Sequence, residues 1–142
     1  MRAVRWVAVG LAGVVLTGCS TVQQEADDEA ARVADHVLPG ALDGAIAESG
    51  ALTPQERATA AADWLAEPGP SAMDSQGSTT WAVRGQDGVT IRVDVYAWVE
   101  SGSFFPPDQG KAVWGLACRS YDVTDTVAST PVECPPGTPA AP

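Results

Sequence analysis

One histidine, one lysine and three cysteines in 142 residues leave little room for the commoner kinds of protein chemistry. The lone His36 excludes a His-rich zinc site and the paired histidines of an HExxH metalloprotease. It stands among alanines, and no motif assigns it a hydroxyl or thiol to activate. No Gly-x-Ser-x-Gly elbow, phosphate-binding loop or dinucleotide fingerprint occurs. Gly110-Lys111 lacks both the upstream glycine spacing and the Ser or Thr that would follow it. Nucleotide-dependent enzymes drop out. Basic residues are also scarce, 8 against 18 acids, for a net charge of −10. Such a field repels a phosphate backbone, which excludes nucleic acid as a partner. No apolar run approaches the roughly 20 residues that a spanning helix requires.

What is present begins at the N-terminus. Arg2 and Arg5 precede an apolar run at 6–16, which leads into Leu16-Thr17-Gly18-Cys19. The order is that of a basic region, a short hydrophobic region and a cleavage site with small residues. Leu-Thr-Gly-Cys resembles the lipobox of bacterial lipoproteins. That resemblance, confined to about the first 20 residues, implies removal of 1–18, a lipid on the sulfur of Cys19, and a new amino terminus that can be acylated. Each buried methylene adds roughly 0.8 kcal/mol of membrane affinity, and two or more chains on one cysteine hold a protein without a spanning segment. The membrane is then a partner through Cys19, and the chain sits lipid-anchored on its extracytoplasmic face. All 18 acids follow the signal, whereas two of the eight basic residues lie inside it, so the mature charge becomes −12.

An exterior address settles the other two cysteines. Cys118 and Cys134 form an even pair where disulfides persist. Bonded to each other they close a loop for which the chain-entropy model gives about 3 kcal/mol. They lack the C-x-x-C spacing of a reactive or zinc-binding pair.

The mature chain divides into a helical half and a strand half. Residues 20–24 make a polar tether after Cys19. From 25 to 38 Ala26, Ala30, Val33, Ala34 and Val37 mark one helix face, and Pro39-Gly40 is expected to end the helix. Glu25, Asp27, Asp28 and Glu29 crowd its start, where the helix dipole favours negative charge. A short second helix at 41–49 is weakened by Gly44. Thr53-Pro54-Gln55-Glu56 is a capping box with proline at the first helical position, which predicts a helix over 54–66. Pro68 stops it, and a Pro, Gly and Ser stretch to 78 links the halves.

From residue 79 the period changes to two. Residues 89–100 alternate strictly, with Val89, Ile91, Val93, Val95, Ala97 and Val99 on one face. A preceding strand at 79–85, joined through a three-residue loop with Gly88 left-handed, places Val83 opposite Ile91 and Trp81 opposite Val93. Pairing Glu100 with Lys111 sets Ala97 against Trp114, Val95 against Leu116 and Val93 against Cys118. A last hairpin turning at 124–127 brings up an edge strand at 132–134, and 135–142 is a Pro-rich tail expected to be disordered. The fold class is α+β: two or three N-terminal helices on a four-stranded antiparallel meander, one domain over 25–134, its last hairpin closed by the disulfide.

In this register Tyr96 faces Gly115 and Trp98 faces Val113 on the outer sheet surface, a candidate docking patch that Phe104 and Phe105 would extend. No cofactor or metal ligand set emerges. The expected role is a non-catalytic envelope module binding a protein or envelope glycan. One alternative is a small-ligand binder, since helices followed by a curved sheet are loosely similar to cystatin-like folds, with an enclosed pocket near Trp81, Trp114 and Val95. Another is a hydrolase using two of the 18 carboxylates.

Overall fold

A computed structural model describes residues 21–67, 78–102 and 109–142. Cys19, the 68–77 link and the Phe104-Phe105 segment lie outside them. Thr21 opens the first helix: its hydroxyl accepts the Gln24 N–H at 3.2 Å, an N-cap bond. Helix α1 therefore starts at Val22, inside the segment expected as tether, and runs to Arg32.

Pro39-Gly40 does not end the helical run. The chain passes through a π turn at Val33–Val37 directly into α2, Leu38–Ser49. Proline brings no N–H to a helix, and its ring crowds the carbonyl four residues back. The turn ahead of it widens to relieve that crowding, and the Leu38 N–H reaches five residues back to the Val33 carbonyl. The inward side carries Ala26, Ala30, Ala34, Leu38, Leu42 and Ile46, four residues apart and all but sealed from solvent. At 3.6 residues per turn such a stripe advances about 40° beyond a full turn at each step. Over six positions it would wind about half-way round a straight helix, and the wide turn takes back part of that drift. Gly50, at φ 72°, gives α2 its left-handed end. Helix α3, Pro54–Ala66, stands where the capping box puts it, with both reciprocal Thr53–Glu56 bonds formed.

Four antiparallel strands follow in the order β1 (Ser78–Asp87), β2 (Thr90–Glu100), β3 (Ala112–Val123) and β4 (Val127–Pro131). The α+β meander is present, and Cys118 and Cys134 are bonded with their Cα atoms 5.3 Å apart. Three pairings differ from expectation. Trp81 lies opposite Val95 and Val83 opposite Val93, a slide of two residues that keeps both on the inner face. Arg84 then bulges out, and the chain turns through Gly88-Val89 with Gly88 at φ 58°. Without that bulge the short turn would set Val83 against Asp94; the extra residue restores apolar pairing. Strand β4 lies at Val127–Pro131 rather than 132–134, because Val123 pairs with Val127 across a tighter turn.

The β2–β3 correction matters most. Glu100 pairs with Ala112 rather than Lys111, and this one-residue slip turns every β3 side chain to the opposite face. Trp114, Leu116 and Cys118 move outward, while Gly115, Ala117, Tyr121 and Val123 join Ile91, Val93, Val95 and Ala97 beneath the helices. The reason lies in α1. A Cβ on Gly115 would stand 1.9 Å from the Ala26 carbonyl oxygen, so only glycine lets the helix backbone come this close to the sheet.

The same helix covers an edge. Strand β4 pairs only with residues 119–123 of β3, and the backbone beyond needs other partners. Gln23 Nε2 donates to the Trp114 carbonyl at 3.0 Å, the Leu116 N–H donates to Asp27 Oδ1 at 3.1 Å, and the Val132 N–H donates to the Cys118 carbonyl. Asp27 thus seals a strand edge, a role beyond the dipole capping expected of it. At the far end Arg57 of α3 donates to the Asp125 carbonyl of the β3–β4 turn at 3.0 Å and lies 3.6 Å from Asp43. Trp64 of α3 stacks on Trp81 at 5.3 Å, and the Trp81 indole donates to the Leu65 carbonyl.

Gly115→Ala should lower stability by about 3 kcal/mol or more, the upper end of overpacking, because the clash is with backbone that cannot rotate away. Urea denaturation checks this. An alanine variant as stable as the parent would mean that α1 does not lie against β3.

Candidate functional site

Helices α1, α2 and α3 pack on one face of the sheet, so among the described residues the other face is where side chains remain available. The corrected register divides the expected patch. Tyr96 and Trp98 are on the outer face; Val113 and Gly115 are on the inner one. Phe104 and Phe105 fall outside the described residues. The neighbours that Tyr96 and Trp98 acquire are Leu116 and Trp114. Trp98 and Trp114 meet edge to face, ring centroids 5.4 Å apart at 61°, and both are half-buried.

Tyr96 is not open. The segment 135–142 turns at Gly137 (φ 81°) and crosses the outer face, where the Tyr96 hydroxyl donates to the Pro139 carbonyl at 3.1 Å. The ring is 2% exposed, and burial, then the charge of Asp94, pushes the phenol above its usual value of 10. Asp94, almost fully buried for a carboxylate, is paired with Arg84 from the β1 bulge. Beside them lies a cleft of about 200 Å³ lined by Arg84, Arg92, Asp94 and Ser120, with Val132 and Glu133 as its far wall. That wall is held by the disulfide at Cys134. Sequence reasoning missed this cleft, because Arg84 reaches it through a bulge and Ser120 through the shifted β3 register. The alternation of 90–100 did place Arg92 on the polar face.

A second concavity, an open groove of about 610 Å³ between α2 and α3, has Trp64 as its apolar wall and Glu48, Glu56, Asp63 and Glu67 around it. Glu56 is committed to the capping box: its carboxylate accepts the Thr53 and Leu52 N–H groups, which hold it below the usual glutamate range. That is the opposite direction to a proton donor in glycoside hydrolysis. Of the three residues expected around an enclosed ligand pocket, Trp81 and Val95 are in or against the packed core and Trp114 is on the outer face. Among the described residues no three His, Cys, Asp or Glu side chains converge to hold a metal.

Among the described residues an ionic cluster ties the inner face to the π turn. Arg119 reaches Asp35 with two hydrogen bonds of 2.7 and 2.9 Å, and the Ser129 hydroxyl of β4 donates to the same carboxylate at 2.6 Å. The buried Tyr121 hydroxyl donates to the Ala34 carbonyl at 2.7 Å. His36, next along the turn, is exposed. The Arg119 bonds hold Asp35 below the ordinary aspartate value of 3.8, against a smaller opposing effect of burial. This cluster is structural, a tie between helix and sheet.

Comparison of the chain with protein-family models, curated proteins and solved structures returns no match.

A lowered folded pKa makes Asp35 stabilising above the unfolded aspartate value of about 4, and that contribution is lost as the pH falls from there through the folded value. Melting temperature measured between pH 2.5 and 6 should therefore fall on the acid side less steeply for Asp35→Asn than for the parent. Parallel acid limbs would show that Asp35 contributes nothing through its charge.

Proposed function

We propose that this chain is a lipid-anchored, extracytoplasmic, non-catalytic module that serves a protein or glycan partner of the cell envelope. The observation that carries the reading is Leu16-Thr17-Gly18-Cys19, followed after only Ser20 and Thr21 by the first residue of a capped helix. Gln23, whose side chain grips the Trp114 carbonyl, is four steps along the chain from Cys19, so a lipid on Cys19 would hold the domain within about 15 Å of the bilayer. The Cys118–Cys134 bond supports an oxidising exterior, since such bonds are rare where thiols are kept reduced. A non-catalytic role is supported by the employment of the polar side chains. Asp35, Asp27, Glu56 and Arg119 are each consumed by helix caps or helix–sheet ties.

The test is Cys19→Ala together with intact mass. The parent, expressed in a bacterium that processes lipoproteins, should sediment with membranes and carry the mass of residues 19–142 plus lipid. The alanine variant should leave the detergent-soluble membrane fraction. A parent mass without lipid, or a variant that stays membrane-bound, would overturn the proposal.

A further inference from the structure

We propose that the outer-face cleft beside Arg92 is a binding site for a single carboxylate group. The inference goes beyond the anchoring of the chain and stands without it. It starts from how arginine is used in a chain where acids outnumber bases more than two to one. Arg32 pairs with Glu29, Arg57 with Asp43, Arg84 with Asp94 and Arg119 with Asp35. Among the described residues Arg92 alone of the arginines has neither a side-chain hydrogen bond nor an ion pair. With so many carboxylates available, an exposed guanidinium with no partner among the described residues is the exception, and this one lines a cavity.

The surroundings supply a geometry. Arg92 pairs across β2–β3 with Ser120, so the two side chains share a sheet face, and both line the cleft. The β1 bulge sets Gly85 opposite Arg92, which leaves no side chain from that strand over it and throws Arg84 toward the same cleft. Arg84 is already neutralised by buried Asp94. The far side is the chain from Val132 to Pro135, held by Cys134 to the cross-strand neighbour of Asp94, Cys118.

Charge and size choose the ligand. One unpaired cation, with Glu133 in the far wall and a strongly acidic chain around it, suits a monoanion and disfavours a phosphate dianion. A planar carboxylate matches the guanidinium fork with two parallel bonds and can take the Ser120 hydroxyl as a third donor. About 200 Å³ is smaller than the usual range for a drug-sized ligand, so the cleft takes a small acid or the last residue of a chain.

The experiment is a titration of the purified, ¹⁵N-labelled protein read at the arginine Nε–H resonances. The probes are acetate and N-acetylglycylglycine, with N-acetylglycinamide as neutral control and inorganic phosphate as competing anion. A saturable shift of the Arg92 resonance by a carboxylate, absent with the amide, is the expected result, and binding by the variants is read at the backbone amides of Ser120 and Glu133, which line the same cleft. Arg92→Gln should weaken binding at least about tenfold, the range for a hydrogen bond to a charged group. Arg92→Lys should fall between, and Ser120→Ala should weaken binding with its melting temperature unchanged. Tighter binding of acetate assigns the site to a free acid; tighter binding of N-acetylglycylglycine assigns it to a chain end. No saturation, equal response to the amide, phosphate binding more tightly, or undiminished binding by Arg92→Gln would overturn the proposal.

Discussion

Pro39 cannot give an N–H to the helix that runs through it, and the geometry of the domain follows from how that deficit is met. In a regular helix the Ala34 carbonyl would accept from residue 38; in a π turn it would accept from residue 39. The Leu38 N–H goes instead to Val33, and Pro39 has none. The carbonyl left over is buried, where an unsatisfied acceptor costs about 1–3 kcal/mol. Tyr121 reaches up from β3 and donates to it, itself fully buried, with burial raising its phenol far above the usual value. A fault in the helix thereby becomes its point of attachment to the sheet, and Arg119, Asp35 and Ser129 reinforce the same point.

Because Tyr121 and Arg119 must face the helices, the parity of β3 is set along its whole length. Gly115 comes to lie under Ala26, and Trp114, Leu116 and Cys118 are sent to the far side. The outer face then owes its character to residues that the core has no use for. They are an aromatic pair, a tyrosine covered by the C-terminal segment, a buried Asp94 paired with the exposed Arg84, and a cleft walled by the disulfide. Fold and candidate site are two consequences of one register.

Local signals were legible in the sequence. The capping box at Thr53–Glu56 involves four consecutive residues and defined α3 without tertiary help. The alternation of 90–100 defined β2, and the two cysteines left after Cys19 defined the crosslink. The helix through Pro39 was partly legible: the four-residue stripe continues past the proline to Leu42 and Ile46, whereas a proline and a glycine side by side read as a stop. The register of β3 was not legible. Residues 112–118 are apolar on both faces, so either pairing looks acceptable, and the Glu100–Lys111 ion pair used to choose is the kind of exposed contact that contributes least. What decides it is contact with α1 and the π turn, 84 to 89 residues away in the chain. The cleft was hidden for the same reason, together with a bulge that no alternation pattern reveals.

The central claim is that Tyr121 satisfies a carbonyl orphaned by Pro39, and a double-mutant cycle on these two residues tests it directly. Tyr121→Phe measured by urea unfolding should cost about 1–3 kcal/mol with Pro39 present. In the Pro39→Ala background, where the backbone gains an N–H that the helix can use as its own donor, the same substitution should cost at least about 1 kcal/mol less. An equal cost in both backgrounds would show that the tyrosine does not answer the proline, and would contradict the account of how helix and sheet are joined.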